Sequence, residues 1–108
     1  MSDDYEFHAV LKTSDLDPGE AKQVLIGRKE IAIYNLEGNF YATDDICSHA
    51  YASLADGYIE GEIIECPLHG GSFEIKTGKA VTAPCTEDIK TYPLKIEGEQ
   101  ILVGLPRG

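Results

Sequence analysis

Between Glu30 and Ile75 the chain has neither lysine nor arginine. The same stretch holds Glu30, Glu37, Asp44, Asp45, Asp56, Glu60, Glu62, Glu65 and Glu74, and the whole chain carries a formal net charge of −10. Such a surface repels nucleic acid and anionic membranes, so neither is expected as a partner. An acid excess often does no more than keep a surface solvated. Here the acids bracket the cysteines and histidines, which points to a docking face for a basic partner. Other shortages exclude other classes. No run of about 18 apolar residues is present, so no membrane-spanning helix is expected. The opening MSDDYEFHAV has neither a basic nor an apolar leader region, so no signal peptide and a cytoplasmic location are expected. There are only three cysteines in 108 residues. In a reducing compartment these read as metal ligands or free thiols rather than a disulfide framework. Nucleophile–base pairs, phosphate loops and dinucleotide fingerprints are all missing, so no catalytic residue is assigned.

What remains is a globular composition, with 43% hydrophobic and 26% charged residues. The length and the lack of a linker or repeat predict one domain over residues 1–108. No long segment repeats its apolar residues every 3.6 positions. Runs rich in β-branched and aromatic residues predict strands at Tyr5–Leu11, Gln23–Ile26, Glu30–Asn35, Phe40–Thr43, Glu62–Glu65, Ser72–Ile75, Thr91–Ile96 and Gln100–Gly104. Glycine-bearing turns separate several of them: Leu36–Asn39, Ile59–Gly61, Lys76–Lys79 and Ile96–Glu99. A short helical turn is expected at most, within Asp15–Ala21. The fold class is all-β, an antiparallel sandwich or barrel.

Two segments are rich in metal-ligand residue types. They are Cys47-Ser48-His49 and Cys66-Pro67-Leu68-His69, separated by the sixteen residues of Ala50–Glu65. In an extended loop positions i and i+2 face the same way, so Cys47 and His49 can share a target. In a tight turn i and i+3 converge, which brings Cys66 and His69 together. Pro67 narrows that turn, and Gly70 and Gly71 let backbone approach closely. The pairing of two cysteines with two histidines argues against isolated core residues. His8 stands alone and receives no role. A Cys2His2 set can hold a tetrahedral zinc. It can also hold a two-iron, two-sulfide cluster with two cysteines on one iron and two histidines on the other. Spacing alone leaves both open.

The order C-x-H, then C-P-x-H-G, then an aromatic and a Lys-Thr-Gly turn resembles the Rieske signature, and the likeness runs over nearly the whole chain. It is similar above all to the Rieske ferredoxins of bacterial aromatic-ring-hydroxylating dioxygenase systems, of the biphenyl and naphthalene type. The resemblance implies one Rieske-type [2Fe-2S] cluster, with Cys47 and Cys66 on the inner iron and His49 and His69 on the outer. It implies a Rieske antiparallel β-sandwich with a cluster-binding insertion from about Asp45 to Pro84. Thr82-Ala83-Pro84 matches the loop that covers the cluster. The implied activity is one-electron transfer from a flavin-dependent NAD(P)H reductase to a terminal oxygenase, as a component of a dioxygenase system rather than an enzyme in itself.

Departures from the high-potential respiratory members are informative. Those carry a further cysteine in each loop, joined as a disulfide, where this chain has Ala52 and Leu68. They also carry a Ser and a Tyr that donate hydrogen bonds near the cluster, where this chain has Gly71 and Phe73. Both differences point to a low-potential ferredoxin. Cys85 breaks the two-plus-two pattern and is read as a free thiol. Two alternatives stand beside this reading: a Rieske-like small subunit of nitrite reductase, and a structural zinc module for protein binding.

Overall fold

The computed structural model describes residues 4–46, 52–67, 71–82 and 87–106. Of the expected site residues, Cys66 lies within these ranges. Cys47, His49, His69 and Cys85 lie outside the described residues, as do Leu68, Ala83 and Pro84.

Eleven strands are described: β1 Tyr5–Lys12, β2 Ala21–Ile26, β3 Lys29–Leu36, β4 Asn39–Asp44, β5 Tyr58–Glu60, β6 Ile63–Glu65, β7 Ser72–Glu74, β8 Ala80–Thr82, β9 Thr91–Tyr92, β10 Leu94–Glu97 and β11 Gln100–Pro106. They form three sheets, ordered β1-β11-β10, β2-β3-β4-β9 and β5-β6-β7-β8. Every pairing is antiparallel. Among the described residues there is no α-helix, only two 3₁₀ turns at Thr13–Asp15 and Leu54–Asp56. No helix among them is long and apolar enough to cross a membrane. The all-β class is as expected.

β3 explains the layering. Its Ile31 and Ile33 pack with Leu16, Val24, Ala42, Tyr92, Ile101 and Val103, in a core between the first two sheets. Its Ala32, Tyr34 and Leu36 point the other way, into a second core with Leu54, Ile64, Cys66, Phe73 and Ile75. Alternate residues of a strand face opposite sides. An unbroken apolar run such as Ile31-Ala32-Ile33-Tyr34 therefore suits a strand buried on both faces. Each fully buried Ile contributes about 1.5–3 kcal/mol over an exposed one. The third sheet is thus held against the middle sheet by a core of its own, and Cys66 belongs to that core. Burial first, and then the nearby carboxylates of Asp45 and Asp44, hold the Tyr34 phenol above its ordinary pKa. Tyr34 and Thr43 share a hydrogen bond of 2.8 Å, so the phenol is buried but not unpartnered.

Three details differ from the expected strands. The run Thr91–Ile96 is two strands, β9 beside β4 and β10 beside β11. Pro93 lies between them, and its carbonyl accepts from the Gly104 N–H at 2.8 Å. Proline lacks a ladder donor, so the chain leaves one sheet there and enters another. β5 and β8 were not expected; they form as partners of β6 and β7, which their own short sequences do not reveal. The 3₁₀ turn falls at Thr13–Asp15, ahead of the expected place. The Asp15 carboxylate accepts from the Lys12 N–H at 2.9 Å and closes it.

Candidate metal centre

Cys66 follows β6 directly and is 1% exposed. Its N–H donates to the Gly71 carbonyl at 2.7 Å. β7 begins at the next residue, and Glu65 pairs with Ser72. Cys66 and Gly71 therefore close the β6–β7 ladder on either side of 68–70, and His69 lies outside the described residues. The expected tight turn at C-P-x-H-G falls mostly on residues outside those described.

The first ligand segment leaves β4 through Asp45 and Ile46. Ile46 bridges to Ser53 in antiparallel fashion. The Leu54 N–H donates to the Asp45 carbonyl at 2.6 Å. These contacts close the neck of a loop whose sequence includes Cys47 and His49. Beyond the neck, the 3₁₀ turn Leu54–Asp56 leads to Gly57. A Cβ at Gly57 would stand 2.0 Å from the Glu65 carbonyl oxygen. The return limb of the first loop thus lies flush against the backbone just before Cys66. Only a residue without a Cβ allows this approach.

The segment after β8 is tied to the same region. The Ala80 N–H donates to Asp88 Oδ1 at 2.9 Å. The Ile89 N–H donates to the Gly78 carbonyl at 2.8 Å, and Gly78 sits at φ 76° with no room for a Cβ. Asp44 N–H donates to the Lys90 carbonyl at 2.9 Å, and the Tyr92 hydroxyl donates to Asp44 Oδ1. That hydrogen bond and burial push the Tyr92 phenol up, burial being the larger cause. The described residues that flank 47–51, 68–70 and 83–86 are thus each tied by hydrogen bonds to neighbouring strands or turns. Among the described residues no group of three metal-ligating side chains is found. Of the expected ligands, Cys66 alone is among those residues.

The acidic surface needs one correction. Asp45 is 0% exposed and accepts hydrogen bonds from Gln23, Ser53 and the Ala55 N–H. It is an internal tie and not a steering charge. Asp44 is likewise engaged with Lys90 and Tyr92, and Glu62 pairs with Lys76 at 3.0 Å. Glu60 and Glu65, beside the exposed Tyr58 and Val81, line a cleft on the outer side of the third sheet. A carboxylate that satisfies backbone N–H groups looks the same in sequence as one that faces solvent. The Asp-Asp pair gave no sign of which it was.

The chain matches the family model for the Rieske [2Fe-2S] domain over residues 6–93. It belongs to the Rieske [2Fe-2S] domain family. It is 50% identical over 92 residues to the ferredoxin component of the naphthalene 1,2-dioxygenase system of Pseudomonas putida, covering 85% of this chain and 88% of that one. It superposes on the ferredoxin of Sphingomonas yanoikuyae B1 with a TM-score of 0.88 and 40% identity, over 94% of this chain and 100% of that chain. A chain of the complex of reduced oxygenase and oxidized ferredoxin in carbazole 1,9a-dioxygenase matches with a TM-score of 0.85 and 36% identity, over 90% and 91% of the two chains. A nitrite reductase small subunit from Mycobacterium tuberculosis shares the fold, TM-score 0.86, but only 17% of residues, over 96% of this chain and 98% of that one. Membership of the Rieske family implies one Rieske-type [2Fe-2S] cluster and sets the zinc module aside.

The described part of the Rieske site is compatible with that group. Cys66 offers a soft sulfur donor, directly after β6 and screened from water, which suits an iron–sulfur ligand. Gly57 abuts the Glu65 carbonyl, one residue before Cys66. Gly57→Ala should cost about 1–3 kcal/mol or more, because the added methyl meets backbone that cannot rotate away. Thermal unfolding with parallel iron analysis checks this. An unchanged melting temperature and iron content would show that β6 can shift freely.

Proposed function

We propose that this chain is a one-electron carrier, a low-potential Rieske ferredoxin forming a single domain over residues 1–108. It takes electrons from a flavin-dependent NAD(P)H reductase and passes them to a terminal aromatic-ring-hydroxylating dioxygenase in the cytoplasm. The observation that carries this reading is the 50% identity to a dioxygenase-system ferredoxin across most of both chains. Cys47 and Cys66 would hold one iron, and His49 and His69 the other. With two cysteines and two histidines on two tetrahedral irons, no position is left open for a substrate. The cluster, when bound, supplies one-electron chemistry. The chain's residues hold it, screen it from water and present it to partners. The low identity to nitrite reductase small subunits leaves that alternative with the fold alone in its support.

The electron paramagnetic resonance spectrum of the reduced protein tests the ligand set, since mixed His/Cys ligation lowers the average g value below that of an all-Cys ferredoxin. An all-Cys signature, or no signal from a colourless protein, would refute it. For docking, Glu65 is the exposed acid beside Cys66, and Glu60 lines the same cleft. Added salt screens such charges and slows a steered encounter. Electron transfer from the reductase should fall by about tenfold between low and high salt. Glu65→Lys should slow it more than Glu99→Lys, which lies in the β10–β11 turn. Stopped-flow rates across a salt series decide; a flat series would remove electrostatic steering.

A further inference from the structure

We infer that Asp45 is a positioning residue for the iron–sulfur centre, acting through hydrogen bonds that span the first ligand loop. The inference rests on the ligand reading above. Asp45 lies two residues before Cys47 and is fully buried. Its Oδ2 accepts from Gln23 Nε2 at 2.6 Å and from Ser53 Oγ at 2.7 Å, and its Oδ1 accepts from the Ala55 N–H at 2.9 Å. Its own N–H donates to the Glu30 carbonyl at 3.1 Å, and its carbonyl accepts from the Leu54 N–H at 2.6 Å. One residue therefore ties β2, β3 and the return limb Ser53–Ala55 to the chain that enters the loop.

The neck of the loop is already closed by backbone. Ile46 bridges Ser53, and Leu54 bonds to Asp45. Closure alone needs no carboxylate. A buried carboxylate is expensive unless every donor is well placed, and an apolar side chain often stabilises as much. What the carboxylate adds is direction. Three donors from β2 and from two points of the return limb converge on one small planar group, so neither limb can slide without breaking a charge-assisted bond. The return limb runs on to Gly57, whose backbone abuts Glu65 next to Cys66. A shift at Asp45 would therefore reach both ligand loops.

The test compares wild type, Asp45→Asn, Ser53→Ala, the double change Gln23→Glu with Asp45→Asn, and Ile101→Val. Ile101→Val trims the core between the first two sheets and serves as a stability control. Asn at 45 turns an N–H2 toward Gln23 and Ser53, and Glu at 23 supplies an acceptor for it. Each protein is assayed for iron and sulfide, for the paramagnetic g values when reduced, and for the rate of iron release to a chelator. We expect Asp45→Asn to move the g values and release iron at least about tenfold faster. Ser53→Ala should move both less, in the same direction. The double change should recover a release rate within about threefold of wild type, and Ile101→Val should leave the g values alone. If Asp45→Asn holds no cluster, an accelerated Ser53→Ala and a loaded double change carry the same conclusion. Wild-type g values and release rates in both single variants would overturn the positioning role. So would an equal change in Ile101→Val, or a double change no better than Asp45→Asn. Wild type without iron and sulfide would instead remove the ligand reading beneath it.

Discussion

Replacing Cys47, His49, Cys66 or His69 by alanine should reduce cluster content to the background of iron and sulfide analysis. Each is one of four protein bonds to two irons in the proposed ligand set, and the iron that loses its bond no longer has a complete tetrahedral shell. Cys66 carries a second consequence. It is packed in the core with Ile64, Leu54 and Phe73, so Cys66→Ala also leaves a small void. Cys66→Ser nearly conserves volume and separates the two effects. It should retain the fold while lowering or abolishing cluster content. Because ligand binding free energy adds to folding free energy, the empty variants should also melt earlier than loaded wild type. Cys85→Ser should keep wild-type iron and sulfide. Loss of the cluster in Cys85→Ser alone would show that the ligand set includes a third cysteine.

The midpoint potential should lie near the low end of the Rieske range, roughly −150 mV. Ligand charge sets the starting point. An oxidised two-iron core held by four thiolates is doubly negative, whereas two thiolates with two neutral imidazoles leave it neutral. Reduction is easier in the second case, which places Rieske centres above all-Cys ferredoxins. Donors near the sulfurs then raise the potential by favouring the more negative reduced state. A hydrogen bond to a charged group contributes about 1.5–3 kcal/mol, and about 59 mV corresponds to 1.4 kcal/mol for one electron. Only the part that strengthens on reduction counts. The absence of side-chain donors at Gly71 and Phe73 could therefore lower the potential by on the order of 100 mV. Gly71→Ser with Phe73→Tyr should raise it. The structure adds a condition to this result. Gly71 uses its carbonyl for Cys66, a bond that serine keeps. Phe73 is 0% exposed beside Ile64 and Cys66, so a tyrosine hydroxyl must displace neighbours. Overpacking of this kind costs about 1–3 kcal/mol. The double variant should therefore melt earlier while its potential rises. Voltammetry on both proteins decides. A wild-type potential hundreds of millivolts positive would end the low-potential assignment.

Short-range chemistry was legible in the sequence. The paired C-x-H and C-P-x-H-G segments pointed to a metal centre, because ligand type and spacing are local properties. Turns at Glu37-Gly38, Gly61, Gly78 and Gly98 were legible for the same reason. Each needs a positive φ, and glycine is the residue that takes it most easily. Most strands followed from residue type. Long-range partnership was not legible. Thr91–Ile96 reads as one strand, yet Pro93 sends its halves to different sheets, because pairing partners are chosen across the fold. Tyr58–Glu60 and Ala80–Thr82 became strands only because β6 and β7 offered them edges. Most of all, Asp45 and Glu65 carry the same charge in the same acidic stretch. Tertiary packing buried one beneath Gln23 and Ser53 as a tie between β2 and the Ser53–Ala55 limb, and left the other in water. A carboxylate's role depends on which donors reach it, and those donors come from segments distant in the chain.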